Sequence, residues 1–105
     1  MEVTIRECLL GFVMLSGQIC AASTRIYVEE TFAPKFIEAF KAAVEGATTQ
    51  IIGDPHDRSK VVGTIVDAHQ HKIVMSYIEK GKSEGNLLTG GEALFEKVCP
   101  WRNLI

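Results

Sequence analysis

The hydrophobic pattern opens with a segment that is apolar on nearly every side. From Val3 to Leu15 the large apolar residues recur three and four positions apart, which predicts a helix. A helix of this kind is typical of a protein interior. Its apolar positions include Ile5, Cys8, Leu9, Leu10, Phe12, Val13 and Met14. The pair Ser16-Gly17 is expected to end it.

The next segment, Thr24–Glu29, alternates between apolar and polar side chains. Ile26 and Val28 would lie on one face, whereas Arg25 and Tyr27 would lie on the other together with the final glutamate. Alternation with a period of two predicts a strand.

A second helix is predicted to begin at Thr31, a residue type that caps helix N-termini well. Pro34 falls in its first turn, where the missing N–H is tolerated. An aromatic stripe at helical spacing indicates the buried face and consists of Phe32, Phe36 and Phe40. Gly46 is expected to end this helix.

The remaining pattern consists of a turn, a helix and a short strand. Gly53-Asp54-Pro55 is typical of a turn. A third helix is predicted from Asp67 to about Lys82, with Gly85 stopping it. Asn86–Thr89 is a strand candidate, closed by two glycines. Strands that alternate with helices favour a partial layered α/β (αβα) unit with a parallel sheet, formed by residues 1–105 as a single unit.

Composition and charge exclude several classes of function. The 105 residues carry a net charge of -2, so no basic surface for nucleic acid or anionic lipid is expected. No segment is long enough to cross a membrane as a helix. The three cysteines, Cys8, Cys20 and Cys99, are too few and too far apart for a disulfide framework or a zinc ribbon. Free thiols fit a reducing compartment.

The location is therefore expected to be the cytoplasm, with secretion as the alternative. The uncharged run Cys8–Leu15, followed by Ala21-Ala22, would allow residues 1–22 to act as a signal peptide. However, a signal peptide needs a positive start, and here Glu2 and Glu7 outnumber the single Arg6.

Cys20 is the candidate for chemistry. A cysteine is nucleophilic as the thiolate, which needs a positive neighbour, backbone amides or a base. Gly17 permits a tight backbone that could aim amides at a reacting oxygen, and small residues follow the cysteine. The alternative is a buried structural cysteine, which is the more frequent case for cysteines in general.

A family resemblance shifts this balance. The stretch Gly17–Val28, Gly-Gln-Ile-Cys-Ala-Ala-Ser-Thr-Arg-Ile-Tyr-Val, resembles the active-site cysteine signature of NAD(P)-dependent aldehyde dehydrogenases and the strand after it. Four later stretches match in the same order, so the resemblance spans roughly residues 16–91. They are Phe36-Ile37 in the next helix, Ile52-Gly53-Asp54-Pro55, the helix around Asp67, Gln70, Lys72, Ile73, Tyr77 and Ile78, and the turn and strand Gly81–Gly85 and Leu87–Gly91.

The resemblance implies a specific chemistry. A thiolate at Cys20 would attack an aldehyde carbonyl to give a thiohemiacetal, hydride would pass to NAD or NADP, and hydrolysis would release a carboxylic acid. The Cys20 amide would help to hold the oxyanion, with Gly17 and Gln18 supporting the loop. No residue is assigned to the cofactor or to a metal. Members of the family form homo-oligomers, so the implied partners are an aldehyde and further copies of the chain.

Departures from the family pattern define the rival hypothesis. Only 19 residues precede Cys20, and they contain no glycine-rich phosphate loop, no matching base glutamate and no oxyanion asparagine. Leu15 replaces the usual asparagine, and Thr64 replaces a proline after Gly63. The pattern is lost from about Phe95 onward. These departures favour a truncated form or an inactive remnant that serves as an association or structural module.

Two weaker motifs carry no function. His69 and His71 are two positions apart on a predicted helix and point to different sides, so solvated histidines are expected instead of a metal site. Gly81-Lys82-Ser83 follows a helix instead of a strand, which excludes a phosphate-binding loop and indicates a solvated helix end.

Overall fold

A computed structural model describes residues 1–54 and 56–93; Pro55 and Cys99 lie outside the described residues. Three α-helices account for most of it: α1 (Glu2–Val13), α2 (Ala33–Ile51) and α3 (Ala68–Glu84). A short 3-10 turn, Met14–Gly17, follows α1. All three predicted helices are thus present, and none of these described helices is long and apolar enough to span a membrane.

Aromatic side chains join the first two helices. Phe36 and Phe40 stack one turn apart along α2, with ring centroids 5.6 Å apart and planes 11° apart. Phe12 of α1 packs against Phe40 at 6.1 Å. Phe36 is 6% exposed and Phe40 is half-buried, which confirms the predicted core face for these two residues. The prediction is wrong for Phe32, which is 42% exposed at the start of the helix.

Both ends of α2 differ from the prediction. Thr31 is not the cap, because its hydroxyl donates to the Glu29 carboxylate at 2.6 Å and Phe32 occupies the N-cap position without a side-chain hydrogen bond. The helix also continues past Gly46 to Ile51. One glycine inside a helix costs about 0.5–1 kcal/mol. The extra turn of packed residues beyond it outweighs that cost.

The ends of α3 confirm the prediction. Asp67 is the N-cap, and its carboxylate accepts a hydrogen bond from the backbone N–H of Gln70 at 2.7 Å. The helix ends at Glu84, where the N–H of Gly85 donates to the Gly81 carbonyl at 2.9 Å. Local side-chain chemistry is enough to define this helix.

The two predicted strands are wrong for the described residues. Thr24–Glu29 and Asn86–Thr89 form no ladder, and the β-pairing described is a single parallel bridge between Ile52 and Val62. A strand exists only when a neighbouring strand pairs with its backbone. Alternation favours such pairing but does not supply the partner, so the predicted parallel sheet is not formed in this part of the chain.

The turn between Gly53 and Lys60 is stabilised by two aspartates. Asp54 accepts hydrogen bonds from the backbone N–H of His56 at 2.8 Å and contacts its ring nitrogen at 3.0 Å. Asp57 accepts from the backbone N–H and the hydroxyl of Ser59 at 2.9 and 2.8 Å. In each case the backbone N–H, and then the side chain, lowers the pKa of the carboxyl below its usual value.

The core is small. Four hydrophobic residues of the described segments are buried, namely Ile5, Phe36, Val62 and Ile65. Several large apolar side chains are instead exposed, including Tyr27 at 92% and Tyr77 at 70%. Exposed apolar surface on this scale is typical of a surface that another polypeptide covers.

Candidate active site

Cys20 lies at the surface in the loop that follows the 3-10 turn. Its side chain is exposed, which rules out the buried structural cysteine considered above. The N–H of Ala22 donates to the Ile19 carbonyl at 3.0 Å, so the cysteine occupies a turn of its own. Cys8, which lies in α1, is partly buried. Cys20 is therefore the more accessible of these two thiols.

Three consecutive residues before this loop adopt left-handed backbone conformations. Their φ angles are 50° at Leu15, 58° at Ser16 and 72° at Gly17. Glycine adopts this region without penalty, whereas a residue with a side chain does so at a cost. The chain thus reverses direction at the end of α1 through a strained segment, and Gly17 is the residue best suited to it.

Two polar side chains bind the loop to a distant part of the chain, residues 63–66. The Ser16 hydroxyl donates to the Gly63 carbonyl at 2.9 Å. The Gln18 amide nitrogen donates to the Thr64 carbonyl at 3.2 Å, and its oxygen accepts from the Val66 N–H at 2.8 Å. We call these three hydrogen bonds the clamp. They hold the approach to Cys20 in place against its strained backbone.

The other end of the loop is held by α1. The N–H of Ser23 donates to the Gly11 carbonyl at 2.9 Å. A Cβ atom at Gly11 would lie 3.3 Å from the Ser23 Cβ, so a glycine allows this close approach. Cys20 is therefore held between two anchors, one on each side of it in the sequence.

The hydrogen-bond donors around Cys20 differ in whether they already have an acceptor. The Cys20 backbone N–H makes no hydrogen bond with any residue that the structure describes. The donors of Gln18, by contrast, already have acceptors. Its N–H donates to Leu15 at 3.1 Å, and its side chain forms the clamp. The geometry thus gives Gln18 a supporting position.

No activating base contacts the thiol. Within residues 1–54 and 56–93, neither a hydrogen bond nor an ion pair reaches the Cys20 sulfur. A free thiol is mostly protonated at neutral pH, so a nucleophile here needs a base from elsewhere or from solvent.

A cavity of about 360 Å³ lies behind the loop and does not include Cys20. Ser16 and Gly17 contribute to its wall, which is otherwise mostly aliphatic and aromatic. Of the three hydroxyl residues on the wall, Ser16 and Thr48 are already bonded to carbonyls, which leaves only Thr24, and the charged residue on the wall is the acidic Glu92. A dinucleotide needs donors for its pyrophosphate. These residues therefore do not fit that cofactor.

The two weaker motifs both lie on α3. His69 is exposed as expected, whereas His71 is half-buried and its Nε2 has no hydrogen-bond partner among the described residues, so the prediction is wrong for His71. No group of three potential metal ligands occurs in this part of the chain. Lys82 pairs with Glu79 at 2.7 Å, and at this predicted solvated helix end the Glu79 side chain is 61% exposed and the Lys82 side chain 29%.

Comparisons of this chain with known proteins indicate one and the same family. A profile of the aldehyde dehydrogenase family matches residues 1–100. The chain is 43% identical over 90 residues to aldehyde dehydrogenase family 2 member C4 of Arabidopsis thaliana, covering 85% of this chain and 17% of that protein. It is 40% identical over 91 residues to a betaine aldehyde dehydrogenase of Agrobacterium fabrum, covering 86% and 18%. It thus spans about a fifth of the length of these curated relatives.

A solved structure shares the fold. The chain matches a betaine aldehyde dehydrogenase of Staphylococcus aureus, solved in complex with NAD+ and with a BME-modified cysteine, at a TM-score of 0.86. The two are 23% identical, and the match covers 98% of this chain and 21% of that one. The helices described above therefore have the arrangement of a segment of this larger α/β protein.

Proposed function

Because this chain belongs to the aldehyde dehydrogenase family, we propose that it carries the nucleophile of an oxidoreductase that converts an aldehyde to a carboxylic acid with NAD+ or NADP+. The observation that supports this function is the position of Cys20, exposed in a loop that Ser16 and Gln18 tie to residues 63–66. Rigid support of this kind suits a reacting side chain, because catalysis depends on its placement.

The first step uses this chain's own residues. The Cys20 thiolate attacks the carbonyl carbon of the aldehyde, a carbon–sulfur bond forms, and the π electrons of the carbonyl move to its oxygen. The product is a thiohemiacetal oxyanion. The unbonded N–H of Cys20 is the donor that we assign to this oxygen, since a donor placed where charge develops lowers the barrier. Gly17 and Gln18 hold the backbone that presents this donor.

Oxidation of the thiohemiacetal needs a hydride acceptor, and NAD+ or NADP+ is proposed from the family. The NAD+ complex of the Staphylococcus aureus protein supports that proposal. No residue described here is assigned to the cofactor, because the cavity behind the loop is apolar with an acidic side chain on its wall. The cytoplasm is the proposed location. Secretion remains the alternative location, and Ile5 of α1 is 8% exposed.

The test isolates the nucleophile from the cofactor. We expect p-nitrophenyl acetate to acylate Cys20 of the folded chain faster than it acylates Cys20 of the chain in urea, followed by p-nitrophenolate release and located by mass spectrometry. Cys20→Ser should abolish the fast phase, whereas the matched Cys8→Ser should retain it. Equal rates in the folded and unfolded chains would contradict a preformed site.

The cofactor is tested separately by titration. Binding of NAD+ and NADP+ to the 105-residue chain is measured by calorimetry, with Cys20→Ser as a matched protein. We expect no saturable binding by these residues alone. Saturation at micromolar cofactor would contradict the conclusion that the described residues do not fit a dinucleotide.

The second candidate function is association with another polypeptide. Tyr27 is 92% exposed, and Val66 at 75% and Tyr77 at 70% add further apolar surface. This function does not require Cys20. If the chain associates completely with another polypeptide but shows no fast acylation by p-nitrophenyl acetate, association is favoured over the enzymatic function.

A further inference from the structure

The hydroxyl of Ser16 acts on a residue whose own backbone is strained. Ser16 has a φ of 58° and a ψ of 35°, and its two neighbours, Leu15 and Gly17, are left-handed as well. For a residue with a Cβ atom this conformation is unfavourable, and its cost is of the same order as the gain from one hydrogen bond. The bond from Ser16 to the Gly63 carbonyl at 2.9 Å therefore offsets a strain that lies in the same residue.

This bond differs from the other two bonds of the clamp in its exposure to solvent. The bond between Ser16 and Gly63 is partly buried, whereas both bonds of the Gln18 side chain to residues 64 and 66 are exposed. Water replaces much of an exposed bond that is lost, but it reaches a partly buried carbonyl less well. Removal of the Ser16 hydroxyl should therefore disturb the loop more than removal of the Gln18 amide.

The turn that carries Cys20 begins three residues after Ser16. The N–H of Ala22 donates to the Ile19 carbonyl at 3.0 Å, which makes Cys20 and Ala21 the central residues of a four-residue turn. The internal bond of such a turn joins its first and fourth residues, so the Cys20 N–H lies outside that bond. Because Ser16 precedes the turn, a change in its backbone angles reorients this N–H. A displacement of about 1 Å can cost about a hundredfold in rate at a reacting group.

We propose that Ser16 is a positioning residue for Cys20, and this proposal rests on the nucleophilic role proposed for that cysteine. The bond to Gly63 selects the left-handed backbone of Ser16. This backbone in turn sets the direction in which the Cys20 N–H meets a developing oxyanion. Loss of the hydroxyl should therefore slow those reactions of the thiol that form an oxyanion and leave its other reactions unchanged.

Two reagents that react differently with the same thiol separate these effects. With p-nitrophenyl acetate, the Cys20 thiolate adds to the ester carbonyl, an oxyanion forms, and its collapse releases p-nitrophenolate and leaves a thioester. With iodoacetamide, the thiolate displaces iodide from a methylene carbon and no oxyanion forms. The exposed Cys20 is accessible to both reagents. The ratio of the two rates at Cys20, located by mass spectrometry in the whole chain, thus reports on stabilisation of the oxyanion.

Three variants give the expected order of acylation rates. Ser16→Ala should slow acylation about tenfold, the factor that corresponds to loss of one such hydrogen bond, with alkylation unchanged. Ser16→Gly also lacks the hydroxyl, but glycine adopts the left-handed backbone without a penalty, so its acylation rate should lie between those of Ser16→Ala and the original chain. Gln18→Ala should lose less than Ser16→Ala. Circular dichroism verifies that each variant is folded.

Thr48→Val is the matched control. The Thr48 hydroxyl donates to the Val44 carbonyl at 2.8 Å and is also partly buried, but it belongs to α2 instead of the loop. This variant should lose a similar amount of stability in urea and keep both rates at Cys20. Acylation that falls as far in Thr48→Val as in Ser16→Ala would overturn the proposal. A parallel fall of acylation and alkylation in Ser16→Ala would show a general loss of structure and would overturn it as well.

Failure of this proposal can be distinguished from failure of the proposed function. If the original chain is acylated no faster when folded than in urea, it has no preformed nucleophile, and both proposals are wrong. If the folded original chain and Ser16→Ala are acylated equally fast, and faster than in urea, Cys20 remains the nucleophile and the positioning role of Ser16 alone is refuted.

Discussion

The side-chain oxygen of Gln18 accepts a hydrogen bond from the backbone N–H of Val66 at 2.8 Å, across 48 positions of the sequence. The nitrogen of the same amide donates to the Thr64 carbonyl at 3.2 Å. A neighbouring parallel strand would accept from and donate to these same two groups. One side-chain amide therefore takes the place of a strand on the free edge of residues 64–66, and in doing so it fixes the loop that carries Cys20.

Gln18→Ala is expected to lower the free energy of unfolding by about 1 kcal/mol, because water replaces part of each exposed bond. The Val66 N–H should exchange with solvent roughly fivefold faster. Gln18→Glu keeps an acceptor for that N–H but loses the donor to Thr64, so Val66 should remain protected. Urea unfolding and amide exchange measure these effects. Gln50→Ala, at an exposed glutamine, is the control, and an equal loss there would refute the assignment.

Leu15→Asn is expected to stabilise the chain by up to about 1 kcal/mol. Leu15 has a φ of 50° and is 63% exposed, so its side chain gains little from packing while its backbone is strained. Asparagine adopts left-handed conformations more readily than leucine does. The adjacent Met14 has a φ of -54° and is 54% exposed, which makes Met14→Asn the matched control. Thermal unfolding should rise for the first variant only.

Asp67→Ala should destabilise α3 by about 1 kcal/mol, because the N–H of Gln70 loses its acceptor. Asp67→Ser retains a capping oxygen and should recover most of the loss. Circular dichroism with urea unfolding gives both values. If Asp67→Ala and Asp67→Ser were equally destabilising, the effect would not be due to the cap.

Acid should weaken the turn between Gly53 and Lys60. The hydrogen bonds from His56 and Ser59 lower the pKa values of Asp54 and Asp57 below 3.8 in the folded chain. Their stabilisation is therefore present above pH 3.8 and is lost as the pH falls through the lowered values. Asp54→Asn combined with Asp57→Asn should flatten the decline in urea midpoint between pH 4 and pH 2. An unchanged decline would place the acid sensitivity elsewhere.

The helices were predictable wherever their determinants are local. Asp67 defines the start of α3 because its carboxylate caps a neighbouring backbone N–H, and Gly85 follows the last helical residue in an extended conformation. Gly46 misled the prediction for α2. The penalty of one glycine is small beside the gain from continuing a packed helix, and that gain depends on tertiary contacts.

The strands and the clamp could not be predicted in the same way. The alternation of Ile26 and Val28 predicts two faces, yet Ile26 is 38% exposed and Val28 is half-buried, because burial and pairing depend on a partner that the pattern does not contain. Cys20 could be chosen as the candidate nucleophile from the sequence motif around it. The contacts of Gln18 with Thr64 and Val66 join remote positions and leave no local pattern in the sequence. From the sequence alone, Thr64 was therefore visible only as a departure from the family pattern, and its contact with Gln18 could not be predicted.

The clamp also determines what a fragment of this chain could reproduce. A synthetic peptide of residues 8–30 would contain Cys20 with every neighbour it has in the sequence, yet it would lack the carbonyl and N–H groups that Ser16 and Gln18 bind. The left-handed run from Leu15 to Gly17 would then relax. In the whole chain this geometry can form only after residues 63–66 have been brought back across an intervening segment of more than forty residues, at a loop-closure cost in entropy. The loop around the thiol is thus a late, long-range product of folding.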